Sequence, residues 1–187
     1  TSRPYYVANH RILYFTHSKG LVIADLDGKI LHELPSLRNS DVMNEADKMS
    51  LVGGYVYFPA INNKTQKTGL WRSNGTAEGT EEVTLCTGTT CYAAPQNFQT
   101  SANKLFFIAT AADGKHALWT INSQNKAVMF QATSPEINSG ERLKPYRDGV
   151  VLQTKTELWY ADGTEEGSYA IKQPLNNNIV QAVASDG

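Results

Sequence analysis

Apolar residues fall along this chain in short runs separated by Gly, Asn and Asp. Four runs are rich in aromatic and β-branched side chains: Ile12-Leu13-Tyr14-Phe15, Tyr55-Val56-Tyr57-Phe58, Leu105-Phe106-Phe107-Ile108 and Val150-Val151-Leu152. Such side chains fit a pleated, half-buried surface, so each run predicts a strand. A turn pair precedes each: Asn9-His10, Gly53-Gly54, Asn103-Lys104 and Asp148-Gly149. Asn, Asp and Gly tolerate the positive φ of a tight hairpin. A shorter strand is therefore expected upstream of each turn, over 5–8, 48–52, 97–102 and 143–147.

A second feature recurs after each aromatic run. Leu70-Trp71, Leu118-Trp119 and Leu158-Trp159 hold all three tryptophans, and Leu21-Val22 takes the same place near the N-terminus. These leucines lie 40 to 49 residues apart. Another turn and a last strand follow, as at 83–85 or 128–131. One unit is thus a four-stranded meander, and the period suits a propeller blade. So small a sheet cannot hide both faces alone, but stacked copies can. The recurring Trp then serves as filler between sheets; the competing role is a stacking surface for sugars.

The expected fold is all-β: a β-propeller segment of about four four-stranded antiparallel blades, part of a larger propeller. The blades are placed at 3–35, 47–86, 96–132 and 141–173. Residues 178–187 repeat the first strand and turn, with Asp186-Gly187 echoing Asp148-Gly149, and are read as the start of a further blade. The absence of an initiator Met and this unfinished repeat lead to the expectation of a fragment, or one half of a cut chain. A four-blade ring is the alternative, although a terminal strand edge would need a partner.

The segments Gly69-Leu70-Trp71-Arg72-Ser73-Asn74-Gly75-Thr76-Ala77-Glu78-Gly79-Thr80 and Glu157-Leu158-Trp159-Tyr160-Ala161-Asp162-Gly163-Thr164-Glu165-Glu166-Gly167-Ser168 match one another. They resemble the ELWxxDGTxxGT repeats, sometimes labelled hyalin-like, of bacterial secreted and surface proteins. The resemblance implies β-propeller architecture and transfers no catalytic residue. Looser copies begin at Leu118-Trp119 and Leu21-Val22, so the repeat covers nearly the whole chain. In the motif, Asn74 and Asp162 are read as Asx-turn acceptors, and Gly75 and Gly163 as suppliers of the unusual dihedral. A cation site built from Asp and backbone carbonyls, with Asp25 and Asp27 as the nearest carboxylate pair, is the other reading. Calcium takes six to eight oxygen ligands, and no loop gathers that many carboxylates.

Composition narrows the rest. The 187 residues are 41% hydrophobic and 19% charged, with net charge −1, so the chain can bury a core. Lys and Arg are scattered singly, without the basic patch that nucleic acid or an anionic membrane would select. No apolar run is long enough to cross a bilayer as a helix. The only cysteines, Cys86 and Cys91, enclose four small residues, so a disulfide loop is sterically feasible; two unlinked thiols are the alternative. A disulfide implies an oxidising compartment: extracellular, cell surface or periplasm.

Chemistry-bearing patterns are sparse. His10, His17, His32 and His116 show no metal-ligand spacing, and no nucleophile elbow or phosphate-binding loop occurs. No catalytic residue, metal or cofactor is assigned. Glu81-Glu82 and Glu165-Glu166 read as solvated positions. The polar loops 62–69, 110–117 and 153–157 vary most between units, and variable loops on a rigid scaffold carry recognition. Asn62, Asn63, Lys64, Asp113, Lys115 and His116 are the candidate binding residues. The expected function is a non-catalytic scaffold of a secreted or envelope protein, binding a protein or glycan partner, the remainder of its own chain, or neighbouring subunits. The alternatives are the propeller portion of a larger secreted enzyme and a structural subunit of a multi-chain envelope assembly.

Overall fold

The computed structural model describes residues 5–40, 49–85, 93–122, 124–130, 137, 142–154 and 157–171. Among these, every regular element is a strand, and every strand pair is antiparallel. Sheet I is the meander β1 (Tyr5–Ala8), β2 (Arg11–Thr16), β3 (Gly20–Ala24) and β4 (Ile30–Leu34). Sheet II holds β5 (Leu37–Asn39), β6 (Ser50–Val52), β7 (Tyr55–Asn62), β8 (Thr68–Ser73) and β9 (Thr80–Val83). Sheet III is β10 (Gln96–Ser101), β11 (Lys104–Thr110), β12 (His116–Ile121) and β13 (Ala127–Met129). Sheet IV is β14 (Arg142–Tyr146), β15 (Gly149–Gln153), β16 (Leu158–Ala161) and β17 (Tyr169–Ile171). The fold is thus all-β with four successive antiparallel sheets. Residues 178–187 lie outside the described residues.

Sheet II departs from the simple meander. Its first strand position is shared by two pieces, with β6 pairing to Tyr55–Tyr57 and β5 to Ala60–Asn62 on the same edge of β7. At eight residues, β7 is long enough to hold both. The hairpins at the heads of sheets III and IV are also one residue earlier than the expected turn pairs Asn103-Lys104 and Asp148-Gly149. Ser101 pairs with Lys104 and Tyr146 with Gly149, so the two-residue loops are Ala102-Asn103 and Arg147-Asp148. Ala102 and Asn103 take φ of 46° and 57°, and Arg147 takes 52°. Gly149 is needed for a different reason: a Cβ there would overlap the Ala161 carbonyl oxygen of the neighbouring strand. Close strand approach, not turn conformation, selects that glycine.

Three apolar cores join the four sheets in chain order. Between sheets I and II lie Leu13, Phe15, Leu21, Ile23, Val56, Phe58 and Ala60, with Trp71 packed alongside. Between II and III lie Tyr57, Leu70, Leu105, Phe107, Trp119 and Ile121. Between III and IV lie Phe106, Ile108, Leu118, Val150 and Leu152, with Trp159 packed alongside. Side chains alternate across a strand. Each Leu-Trp step therefore sends its Trp back to the preceding sheet, while Leu70 and Leu118 reach forward to the next. One dipeptide serves two interfaces. In sheet I, Val22 at the Trp position is fully buried.

The three indoles are not equivalent. Trp119 is buried, stacks on Phe107 with ring planes 14° apart, and donates Nε1–H to Ala109 O at 3.3 Å. Trp71 and Trp159 are half-buried; Trp159 donates to Glu157 Oε2 at 2.7 Å, while the buried Nε1 of Trp71 has no acceptor. Trp119→Ala is therefore expected to cost about 3–5 kcal/mol in denaturant unfolding. Trp71→Ala should cost less. Trp71→Phe, which deletes an unmatched donor, should be milder than Trp119→Phe, which breaks a buried bond.

Candidate functional site

The meander sorts the loops onto two rims. Strand 1–2 turns and strand 3–4 loops share one rim; strand 2–3 loops and the connections between sheets share the other.

The first rim is built from Asx turns. Asp25 Oδ1 accepts from the amides of Asp27 (3.1 Å) and Lys29 (2.8 Å), and Asn122 Oδ1 accepts from Gln124 and Lys126, both at 3.0 Å. Asn74 Oδ1 accepts from Thr76 N at 3.1 Å, and Asp162 Oδ1 from Thr164 N at 2.8 Å. In the latter two the threonine extends the motif. Thr76 Oγ1 accepts from Gly79 N, and Thr164 Oγ1 from Gly167 N. A Cβ on Gly79 or Gly167 would overlap the Asx side chain, which fixes glycine at the second bend. Gly75 and Gly163 have φ of 92° and 99°, the left-handed region where a side chain is strained.

Asp25, Asn74, Asn122 and Asp162 each lie four residues after the Leu of their repeat step. Asp25 and Asn122 were not singled out by sequence as equivalents of the other two, although that fixed offset from Leu21 and Leu118 carries the signal. Asp25 is engaged with backbone amides. Among the described residues no group of three or more His, Cys, Asp or Glu is placed to hold a metal ion.

The opposite rim carries the candidate recognition loops. Asn62 Oδ1 accepts from Lys64 N, Asn63 Nδ2 donates to Pro35 O at 2.6 Å, and Asn63 N donates to Ser36 O. Asn62 and Asn63 thus shape the loop and fasten it to the preceding connection, while Lys64 is exposed. Asp113 Oδ1 caps Lys115 N at 3.0 Å, and both side chains face solvent. His116 opens β12, is bridged to Ile137, and has a buried Nδ1 without a hydrogen-bond partner. The two loops share a rim on adjacent sheets. Each is held by its own bonds or by those to the adjoining connection. Cys86 and Cys91 lie outside the described residues.

Electrostatic perturbation is concentrated at the head of sheet IV. Tyr160 is buried and donates its hydroxyl to Asp148 Oδ1. Burial first, then that bond, push the Tyr160 hydroxyl up to about 12. Receiving it holds the Asp148 carboxyl below its ordinary value. On sheet II, burial raises the Tyr57 hydroxyl. The Tyr160–Asp148 bond ties β16 to the turn that precedes β15, and the Tyr57 hydroxyl reaches Asn125 of sheet III.

No protein-family model matches the chain, and no curated protein matches it.

The motif residues make definite expectations. Gly75→Ala should destabilise by about 1–2 kcal/mol through its left-handed backbone. Asn74→Ala should cost about 1 kcal/mol through lost turn bonds. Equilibrium unfolding of each variant checks both. Tyr160 binds its proton more tightly when folded, so its contribution is complete below pH 10 and is lost as pH rises towards about 12. Ultraviolet titration should show a tyrosinate step near 12 that Tyr160→Phe removes.

Proposed function

We propose that this chain is a β-propeller segment acting as a non-catalytic scaffold, which presents variable polar loops to a protein or glycan partner outside the cytoplasm. The observation that carries the reading is the contrast between the two rims. The strand 1–2 and 3–4 rim is occupied by repeated turn chemistry and contacts between sheets. The other rim bears loops of different composition, around Lys64 in one unit and Asp113 and Lys115 in the next, on strands whose apolar side chains are buried. Rigid strands with divergent loops are the usual arrangement for recognition. The resemblance to the ELWxxDGTxxGT repeats of bacterial secreted and surface proteins supports the same reading, as does the spacing of Cys86 and Cys91, which suits an oxidising compartment. A second reading, a structural subunit of an envelope assembly, is favoured by the half-exposed apolar face of sheet IV.

A glycan array, together with affinity measurement against any co-purifying protein, tests the scaffold role. The double variant Lys64→Ala, Lys115→Ala should lose binding while keeping the parent unfolding midpoint, because both side chains face solvent. Retained affinity in that variant removes the loops from the interface. Reduction and alkylation followed by intact mass should show one disulfide in protein from its native compartment; two free thiols would remove the argument for an oxidising location.

A further inference from the structure

The strand 3–4 turns of sheets II and IV are built alike, bond for bond, around different Asx residues. In sheet II, Asn74 Oδ1 accepts from Thr76 N at 3.1 Å and from Thr76 Oγ1 at 2.9 Å, and Thr80 Oγ1 donates to Thr76 O at 2.6 Å. In sheet IV, Asp162 Oδ1 accepts from Thr164 N and Thr164 Oγ1, both at 2.8 Å, and Ser168 Oγ donates to Thr164 O at 2.5 Å. The preceding sheet meets both turns in the same way. Asn9 Nδ2 donates to Asn74 O at 3.2 Å, and the stem of Arg11 lies over Gly75. Lys104 Nζ donates to Asp162 O, and its stem lies over Gly163. The turns differ in two respects that bear on chemistry. An amide stands in one where a carboxylate stands in the other, yet only Oδ1 of Asn74 enters the turn bonds, and Nδ2 donates to no described residue. Gly75 N donates to the buried Ser73 Oγ at 3.1 Å, a bond for which Ala161 has no acceptor to give Gly163.

We propose that Asn74 is a deamidation site, guarded in the folded turn by Ser73 and yielding an aspartate that the turn accepts as it accepts Asp162. Asn74-Gly75 is the only Asn-Gly pair in the chain. Glycine, with no Cβ, lets its nitrogen approach the preceding side chain closely. The Gly75 backbone nitrogen attacks Asn74 Cγ. A bond from that nitrogen to Cγ forms, the bond from Cγ to Nδ2 breaks, and the proton of Gly75 N leaves with Nδ2 as ammonia. Water then opens the cyclic imide at one of its two carbonyls. One opening gives aspartate; the other gives isoaspartate, with the main chain rerouted through Cγ. In the folded turn the nucleophile is tied to Ser73 Oγ, and two donors on Oδ1 hold Cγ in place. Reaction therefore waits for Gly75 N to leave Ser73. The aspartate product loses nothing the turn uses, because every Asn74 side-chain bond is an Oδ1 bond that Asp162 also makes. Isoaspartate lengthens the main chain between Ser73 and Gly75, so the bonds to Thr76 cannot reform. The outcome is an added negative charge at the joint between sheets I and II, with the fold kept.

Peptide mapping by mass spectrometry tests this on the full chain, held in mildly alkaline buffer either folded or unfolded in urea. Asn74 should convert readily in urea and far more slowly in the folded protein. Ser73→Ala should raise the folded-state rate roughly fivefold, the worth of one released hydrogen bond. Thr80→Val removes the bonds of Thr80 to Ser73 Oγ and Thr76 O but leaves Gly75 N on Ser73, and should stay near the parent rate. Asn74→Asp, which is the product made directly, should keep the parent unfolding midpoint, whereas Asn74→Ala lowers it. Folded conversion as fast as conversion in urea overturns the guard, and the parent protein alone decides that point should Ser73→Ala not fold. Equal acceleration by Ser73→Ala and Thr80→Val means general loosening of the turn and overturns the role of Ser73, as does no acceleration by Ser73→Ala. An Asn74→Asp midpoint as low as that of Asn74→Ala overturns the equivalence of the two turns. None of these readouts involves a binding partner, so loss of the scaffold role would leave them unchanged.

Discussion

A four-stranded sheet with two apolar faces is stable only when both are covered, and every other feature of this chain follows from that constraint. The strands most deeply buried are the second and third of each unit, and their alternating side chains feed two cores at once. Leu70 and Trp71 are adjacent in sequence yet belong to different interfaces. A substitution at the Leu-Trp step is therefore felt on one side of its sheet or the other according to which residue changes. Stability is shared between neighbours rather than held within any one sheet.

Polar chemistry sets how neighbouring sheets meet. The Asx turns satisfy backbone amides within each loop and also stiffen the loop enough for its carbonyls and glycines to serve as contact points for the preceding sheet. Asn9, Lys104, Tyr57 and Arg72 each reach such a point on the following sheet. Apolar packing alone tolerates sliding, whereas these bonds fix the register of one sheet on the next. Hydrogen bonds between successive hairpin heads, such as Ser101 Oγ to Arg147 O at 3.2 Å, continue the same edge. That rim is consequently committed to holding the sheets together, which leaves the other free to diverge.

The strands and the recurring Leu-Trp step were legible because alternation and spacing are local signals. The aromatic runs lie in β2, β7, β11 and β15, and the two-residue turns at Asn9-His10 and Gly53-Gly54 sit where the sequence places them. Gly149 misled because glycine marks both a left-handed turn and a close strand approach, and only the neighbouring Ala161 carbonyl distinguishes them. The split first strand of sheet II was missed because β5 follows β4 with no glycine and belongs to a different sheet, a long-range choice with no local mark. The candidate loops were legible as polar variable segments, but not the anchoring role of Asn63, whose acceptor, Pro35 O, is remote in sequence. The clamp on Asn125 was equally hidden, since Tyr57 reads as one member of an aromatic run and Arg72 stands at an unspecified position of the repeat.

The division of one strand slot between β5 and β6 bears on how such a protein can be modified. The eight residues of β7 pair with Leu37–Asn39 over one half and with Ser50–Val52 over the other, so one edge is filled by two pieces that are not continuous in sequence. Polypeptide can therefore be grafted midway along an edge, in addition to the usual hairpin tips. A scaffold with this property can acquire a new appendage halfway up its flank while its packed interior stays as it was.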